Sequence, residues 1–200
     1  MTEPIFVTYW TDKYKQHARE WLLSAHELGL RCSIAHLECA GSWQANCQKK
    51  PAFLLEMLQQ FPAGPVVWVD VDARFRSRPD LLMDWQDAPN VAYHTYRLTG
   101  GRAEPMSGTI WLDNRTGSAA RWLKAWAALC HAQPDVYDQV LMGRTEVECC
   151  SIDRDLPAEY CFIFDVFRKP FYKHNHPDVA EPIIEHLQAS RTLSDKVKAK

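Results

Sequence analysis

The 200-residue sequence lacks a long apolar run and any excess of positive charge. No stretch approaches the roughly 20 consecutive apolar residues that a membrane-spanning helix needs. The opening residues, MTEPIFVTYW, lack the basic flank and apolar region of a secretory signal. The formal net charge is -2, so no overall positive field predicts binding to nucleic acid or to an anionic membrane. We therefore expect a soluble, cytoplasmic protein without a membrane span.

The sequence also lacks a Cys-x-x-Cys pair. Its seven cysteines are odd in number, which fits neither a complete disulfide framework nor a zinc ribbon, so we expect reduced, mostly structural thiols. No internal repeat, low-complexity tract or linker divides the chain. A length of 200 residues then predicts a single domain over 1–200.

The order of predicted elements indicates the fold class. Apolar runs predict β-strands at 5–7, 32–37, 66–69, 91–96 and 107–112. Periodic apolar residues predict helices that begin near Asp12, span about 51–61 and 136–142, and follow a cap at Thr116 or Ser118. After Pro157 only two strand-like segments remain, 161–164 and 171–173. Because strand and helix alternate over the first 130 residues, we predict an α/β fold with a mostly parallel central sheet flanked by helices.

The strongest strand pattern, residues 66–69, runs directly into Asp70-Val71-Asp72. Ligands of open α/β sheets bind beyond the carboxyl ends of the strands, and side chains two residues apart on an extended backbone face the same side. Two carboxylates in a poorly solvated position repel each other unless a cation lies between them. The pattern therefore predicts that Asp70 and Asp72 bind a hard divalent cation shared with a diphosphate. A strand that simply ends in a solvated turn is the alternative interpretation.

Several segments, in chain order over residues 4–142, resemble the GT-A type of nucleotide-sugar glycosyltransferase. They are the apolar strand ending in Asp70-Val71-Asp72, Lys49-Lys50-Pro51-Ala52-Phe53-Leu54, MSGTIWLDNRTGSAARWLKAW and Val136-Tyr137-Asp138-Gln139-Val140-Leu141. The resemblance implies a Rossmann-like fold and transfer of a sugar, of the hexosyl or pentosyl class, from a nucleoside-diphosphate sugar. It also implies a donor half over about 1–100 and an acceptor half over about 101–200 with C-terminal metal and diphosphate contacts.

The resemblance implies a metal site as well. Mn²⁺ or Mg²⁺ would be held by Asp70 and Asp72, with Asp72 the more direct ligand. Members of the family usually add a histidine late in the chain, and His186 in PIIEHLQASR is favoured over His174 and His176 in FYKHNH. The sequence has no clear His-x-x-Gly, and residues 181–200 can also be interpreted as an amphipathic terminal helix with His186 exposed.

Further roles follow from the same resemblance. Asp138 would orient or deprotonate the acceptor, and Gln139 would lie against the reacting sugar carbon, an arrangement more like that of retaining than of inverting members. The residues expected to contact the donor are Thr8, Tyr9, Trp10, Lys49, Lys50, Asp70, Ser107, Gly108 and Arg191. Cationic groups must offset the charge of the departing diphosphate. The candidates for that task are Lys49, Lys50, Arg74 and Arg97.

The acceptor and the assembly state stay open. A modified base in DNA, a protein, a lipid-linked sugar and a small metabolite are all compatible with the sequence, and an oligomer is compatible too. Two other functions are alternatives: a haloacid-dehalogenase-type phosphatase, which also uses Asp-x-Asp after an apolar strand, and a non-catalytic nucleotide-sugar-binding module. The phosphatase motif normally lies near the start of a chain with a later Gly-Asp-x-x-x-Asp, which this sequence lacks.

Overall fold

The computed structural model describes residues 2–97, 101, 103–145, 155–164 and 181–190. Its strands are β1 (Ile5–Trp10), β2 (Cys32–His36), β3 (Val66–Val69), β4 (Ala73–Phe75), β5 (Val91–Arg97), β6 (Ala103–Leu112), β7 (Phe162–Ile163) and β8 (Ile184–His186). Its helices are α1 (Lys15–Glu27), α2 (Trp43–Cys47), α3 (Lys50–Gln60), α4 (Asp80–Met83), α5 (Ser118–Ala132) and α6 (Asp138–Arg144). Short 3-10 helices cover Asp12–Tyr14 and Ala158–Cys161.

The central sheet has five strands in the order β2-β1-β3-β6-β5. Strands β2, β1 and β3 are parallel neighbours, and β6 runs antiparallel to both β3 and β5. Four of the five strands therefore point in the same direction, and the predicted α/β fold with a mostly parallel central sheet is confirmed. Strand β3 lies in the middle of the sheet, where both of its faces are covered, which is why its four residues are all apolar.

Helices cover both faces of this sheet. Alternate β1 side chains divide between the faces: Ile5, Val7 and Tyr9 join one core cluster with α3 and α5, whereas Phe6 joins the other with α1 and α4. The period of two along the strand and the apolar stripes of the helices are the sequence features that build these layers. Indole rings from both helical layers, including Trp21, are fully buried.

A second sheet of three strands, in the order β4-β8-β7, lies beyond the end of β3. Strands β4 and β8 are antiparallel, and their register places Ala73 opposite His186. The pairing brings a residue from the last part of the chain beside the turn that follows β3. Residues 184–186 therefore form a strand rather than the terminal helix of the alternative interpretation, and His186 is buried, with 2% of its surface exposed.

The sequence pattern also favours Asp12 as a helix cap and a loop through residues 41–43, and the structure differs at both places. Asp12 does not cap α1, because its carboxylate lies 2.9 Å from His36 Nε2 and the 3-10 helix at Asp12–Tyr14 comes first. The segment at 41–47 is not only a loop: Ser42 Oγ accepts a hydrogen bond of 3.0 Å from the amide of Ala45 and so caps α2. The predicted strand 171–173 lies outside the described residues.

The remaining general expectations concern thiols and the membrane. The five cysteines that lie in the described part of the chain are free thiols. Within those same residues, every helix is too short or too polar to cross a bilayer.

Candidate metal centre and its charged surroundings

Asp70, Asp72 and His186 meet where β3 ends. One potential ligand atom from each lies within 4.8 Å of the others. The Asp70 amide still donates to Gly108 O of β6 at 2.8 Å, and the Ala73 amide then donates to Asp70 O at 2.9 Å, so the chain turns directly after the strand. That turn brings both carboxylates toward the β8 histidine.

Backbone and side-chain hydrogen bonds hold two of these ligands in place. Asp72 Oδ2 accepts a hydrogen bond of 2.8 Å from the Ala189 amide. The His186 Nε2 atom lies 3.0 Å from Thr109 Oγ1, which leaves Nδ1 without a hydrogen-bond partner among the described residues. A histidine that ligates a metal through one nitrogen is usually oriented by a partner on the other. The arrangement around His186 fits that pattern.

The electrostatics of the three residues favour a cation between them. Burial and the neighbouring Asp70 raise the pKa of the Asp72 carboxyl, although His186 and the Ala189 amide partly oppose this. Burial lowers the pKa of His186 despite the two aspartates beside it, which favours the neutral ring that a metal requires. Two carboxylates and one imidazole form a donor set suited to Mn²⁺, with Mg²⁺ preferring the oxygens. The residues present therefore fit the predicted ion.

Lys50 lies at the centre of a buried network beside this cluster. Its ammonium group is 3.1 Å from Asp70 Oδ1 and 3.3 Å from Asp138 Oδ2, and it donates to the Ser107 carbonyl at 3.0 Å. Burial works to lower the pKa of Lys50, but Asp70 and Asp138 outweigh it, so the pKa is raised and the side chain stays charged. The Trp68 indole completes the network by donating to Asp70 Oδ1 at 2.8 Å.

Asp138 and Gln139 begin α6 and point toward β6. Asp138 is buried, and the Ser107 hydroxyl lies 3.4 Å from its Oδ2 atom. Gln139 Oε1 lies 3.4 Å from the Ser107 amide, so both residues contact β6 at Ser107. In addition, the buried Trp126 indole donates to the Asp138 carbonyl at 3.0 Å, which fixes the start of the helix on α5.

The three residues predicted at the end of β1 have different surroundings. Thr8 is fully buried, and its hydroxyl makes no hydrogen bond among the described residues. Tyr9 is buried against Phe53 and Trp68 and donates its hydroxyl to Asn46 O at 2.6 Å, so its role is to build the floor of the site. Trp10 is half-buried, with its ring 4.3 Å from the His36 ring.

Of the four cationic candidates, Lys50 is the one that the described structure places among the site carboxylates. Lys49 Nζ donates to the Glu38 carbonyl at 2.5 Å. Arg74 pairs with Glu20 of α1, and Arg97 lies 3.7 Å from Asp155. Each of these three groups already has a partner elsewhere. Three predicted residues, His174, His176 and Arg191, lie outside the described residues.

Two residues near the site did not emerge from the sequence. Tyr14 carries a pKa raised by burial and by the nearby Asp72 and Asp70 carboxylates, while the nearby Trp43 side chain works to lower it. Gln48 donates to three carbonyls of the loop before α6: Val136 at 2.7 Å, Gln133 at 3.1 Å and Pro134 at 3.2 Å. The segment carrying Lys50 is thus fastened to the segment carrying Asp138. No local sequence pattern marks either residue.

We expect Gln48→Glu to loosen that connection. Glutamate has the same size but no N–H to donate, and it places a carboxylate against carbonyl oxygens, which should lower the free energy of unfolding by about 1 to 3 kcal/mol. Chemical denaturation measures this loss, and hydrogen–deuterium exchange should rise in peptides covering 133–138. The same change at the exposed Gln59 of α3 is the control and should alter neither quantity. Equal effects at the two positions would show that the carbonyl contacts contribute nothing specific.

Gly108 is needed because the His186 ring lies directly over it. A β-carbon at this position would lie 2.8 Å from Cε1 and 2.9 Å from Nδ1 of the ring, closer than side chains pack. We expect Gly108→Ala to displace the ring and to weaken Mn²⁺ binding by about 10- to 100-fold, as loss of a partner that orients a ligand does. The electron paramagnetic resonance signal of free Mn²⁺ measures this affinity.

The matched control is Gly64→Ala, where a β-carbon would lie 3.2 Å from Thr2 in a part of the chain that contains no site residue. Its Mn²⁺ affinity should equal that of the unaltered protein. Unchanged Mn²⁺ binding by Gly108→Ala would remove His186 from the metal site.

Comparisons with known proteins identify the fold. No family model and no curated protein matches the sequence. Among solved structures, a glycosyltransferase involved in the glycosylation of the major capsid of PBCV-1 superposes with a TM-score of 0.68 at 13% identity, over 95% of this chain and 96% of that one. The glycosyltransferase GlyE of Streptococcus pneumoniae TIGR4 superposes with a TM-score of 0.59 at 14% identity, and its apo form with 0.61 at 13%.

The chain covers 54% of each GlyE chain and is itself covered to 93%. Likeness at these identities is a likeness of backbone rather than of sequence. The chain has a glycosyltransferase fold.

Proposed function

We propose that the protein transfers a sugar from a nucleoside-diphosphate sugar in a reaction that depends on Mn²⁺ or Mg²⁺. The observation that carries this proposal is the meeting of Asp70, Asp72 and His186 within 4.8 Å at the end of β3. His186 comes from a position more than 110 residues after the two aspartates in the sequence, and the buried Lys50 network adjoins the three residues. A glycosyltransferase fold supports the reaction class.

The metal site and Lys50 both contribute positive charge to the site. When bound, the cation offsets the negative charge that develops on the departing diphosphate. Asp70 belongs to both groups, because it is a proposed ligand and also the partner of Lys50 at 3.1 Å. Since Lys50 is buried and already hydrogen-bonded, it acts first by fixing Asp70 and Asp138 relative to each other. Such preorganised charges need no rearrangement as the reaction proceeds.

The donor lies against the ends of β1, β3 and β6 in this proposal. Trp10, which is only half-buried, contacts the nucleotide in this proposal. Thr8 and Tyr9 are buried and form the floor of the site beneath it. Ser107 and Gly108, which lie within β6 rather than in the turn that the sequence suggested, supply small side chains beside the metal ligands, so that a sugar can approach closely. The hexosyl or pentosyl class of that sugar is left to the experiment below.

Asp138 and Gln139 act on the reacting groups. Asp138 Oδ2 is occupied by Lys50 and Ser107, and Oδ1 is left to accept a hydrogen bond from the acceptor hydroxyl. The bond between the anomeric carbon and the diphosphate oxygen breaks with its electron pair on the diphosphate. The hydroxyl oxygen forms the new bond, and its proton passes to Asp138. Gln139 lies with its Oε1 atom 3.4 Å from the Ser107 amide, on the wall of the proposed sugar site. In this proposal it faces the reacting sugar carbon, and the configuration of the anomeric carbon is retained.

A thermal-shift screen of nucleoside-diphosphate sugars, each with and without Mn²⁺, tests the proposal. We expect at least one donor to raise the melting temperature only when Mn²⁺ is present, and the same pair to release free nucleoside diphosphate slowly. A shift by a donor that is never hydrolysed would indicate a binding module without turnover. Hydrolysis of p-nitrophenyl phosphate without any response to nucleotide sugars would instead indicate the phosphatase.

A further inference from the structure

Two aromatic rings stand together at the edge of the site. Tyr137, the residue directly before Asp138, is one of the few large apolar side chains that are exposed, with 54% of its surface accessible. Its ring centroid lies 5.6 Å from that of the half-buried Trp43 of α2, and the planes of the two rings meet at 60°. Exposed aromatic surface next to a candidate active site is typical of a surface that binds a ligand.

The pair is held rigidly by the surrounding backbone. Gln48 and Gln44 donate to carbonyls of the loop that leads into Tyr137, including Pro134 O, and so fix the α2 segment against that loop. On its other side, the Trp43 side chain lies near the Tyr14 hydroxyl. A ring pair that is ordered before binding loses little conformational freedom when a ligand arrives.

The pair lies next to the groups that would act on an acceptor. Asp138 follows Tyr137 immediately, and its carboxylate is 3.3 Å from Lys50, which in turn is 3.1 Å from Asp70. Tyr137 is the cap of α6 and Asp138 its first residue, so a molecule resting on the two rings lies at the same end of this helix as the carboxylate.

The surroundings of the pair also indicate the chemistry of the ligand. Residues 41–48 and 133–140 contain no lysine or arginine of their own and contribute Asp135 and Asp138, and the two cations that contact them among the described residues are already paired, Lys50 with Asp138 and Arg144 with Gln133 Oε1. An acceptor that carries phosphates, such as DNA or a lipid diphosphate, requires cationic contacts that these segments lack. A sugar ring needs none, because its C–H face packs on aromatic carbon while its hydroxyl groups bind amides and carboxylates such as Gln44 and Asp138.

We propose that Trp43 and Tyr137 form the acceptor subsite and that the acceptor is an uncharged sugar, free or at the end of a glycan. The inference rests on the proposed sugar-transfer function and names the acceptor that the function leaves open. The two rings bind the sugar, and Asp138 takes the proton of its reacting hydroxyl.

The decisive experiment measures how the enzyme divides donor between acceptor and water. Methyl glycosides of glucose, galactose, mannose, xylose and N-acetylglucosamine are the probes, supplied with Mn²⁺ and the donor found by the thermal-shift screen. We expect at least one glycoside to be glycosylated, and Tyr137→Ala and Trp43→Ala each to lower the ratio of transfer to hydrolysis by about tenfold, the effect of losing one ring contact. Tyr137→Phe keeps the ring and should keep the ratio within about twofold.

A general loss of structure would slow transfer and hydrolysis together and leave their ratio unchanged, so the ratio isolates the acceptor. Leu23→Ala, at another exposed apolar residue on α1, is the control for surface truncation and should leave both rates unaltered. An unchanged ratio in Tyr137→Ala and Trp43→Ala overturns the inference. So does transfer to a peptide, to DNA or to a lipid phosphate with none to any glycoside.

Direct binding separates this inference from the proposed function. Saturation-transfer NMR with the methyl glycosides needs neither donor nor metal. Signals that the unaltered protein gives and Trp43→Ala loses support the subsite even if no donor is ever turned over, in which case the proposed function alone fails. Donor hydrolysis with no glycoside signal, or with a signal that survives Trp43→Ala, overturns the subsite and leaves the proposed function standing.

Discussion

Replacing Asp72 with asparagine is expected to abolish the Mn²⁺-dependent response to the donor. Asp72 is one of three proposed ligands and is aimed by the Ala189 amide at 2.8 Å. Removing a group that merely orients a ligand costs about 10- to 100-fold in metal affinity, so loss of the charged ligand should cost at least about 100-fold. Calorimetric titration with Mn²⁺, followed by donor hydrolysis with saturating Mn²⁺, measures both effects.

The stability of the metal-free variant distinguishes this result from misfolding. Burial and the adjacent Asp70 raise the pKa of Asp72, which means that the folded state pays for ionising this carboxylate. Asparagine removes that cost and can still accept the Ala189 hydrogen bond. We therefore expect metal-free Asp72→Asn to unfold at the same urea concentration as the unaltered protein, or a higher one.

Asp84→Asn, at an exposed position after α4, serves as the charge-matched control. It should bind Mn²⁺ like the unaltered protein. Unchanged Mn²⁺ affinity in Asp72→Asn would contradict the metal site and, with it, the proposed reaction.

Replacing Lys50 with methionine is expected to cause the largest loss of stability. Lys50 is 3% exposed and lies between Asp70 and Asp138, of which Asp138 is itself 4% exposed. Breaking a buried ion pair by removing one partner leaves an uncompensated charge and costs about 3 to 5 kcal/mol of unfolding free energy. Methionine retains the length and apolar stem of the side chain, so the loss reports on the charge rather than on a cavity. Urea denaturation of the metal-free protein measures it.

A double variant shows whether Asp138 is the group left uncompensated. Adding Asp138→Asn to Lys50→Met removes the buried carboxylate and should restore part of the lost stability, since the two changes act on one network. Lys49→Met is the matched control, because the neighbouring lysine contacts only the Glu38 carbonyl among the described residues. It should cost less than about 1.5 kcal/mol, the value of a single hydrogen bond. Equal costs for Lys49→Met and Lys50→Met would contradict the network.

The two lysines illustrate how far a local pattern reaches. Lys49 and Lys50 are adjacent and equally plausible partners for a diphosphate in the sequence. In the structure α3 begins at Lys50, so its side chain enters the core beside Trp68, whereas Lys49 turns toward Glu38. The helix phase makes this choice, and the phase depends on how Phe53 and Leu54 pack against the sheet. The charges of the two lysines alone do not predict which of them enters the core.

Long-range pairing explains what local patterns missed. Trp43, Gln48 and Tyr14 come together through contacts with segments far away in the chain, and neither their types nor their spacing predicts a site. The arginines of RFRSR show the reverse case, because a basic run in sequence becomes separate ion pairs: Arg74 with Glu20, Arg76 with Glu185 and Arg78 with Asp80. Only Arg74 lies on β4, which ends at Phe75, so the three arginines meet acidic partners on three different segments of the chain.

The sequence by itself determined the layers of the fold and one half of the candidate metal centre. The run Val66-Val67-Trp68-Val69 is apolar on both faces, which requires an interior strand, and the two aspartates that follow must then lie at its carboxyl end. The sequence favoured His186 as the third residue through its resemblance to the family, but only the tertiary structure brings it to the two aspartates. The antiparallel pairing of β4 with β8 places Ala73 opposite His186, and Gly108 leaves room for the ring. Strand pairing between distant segments is set by the fit of the whole molecule, and for that reason the local pattern around His186 does not show what the histidine lies beside.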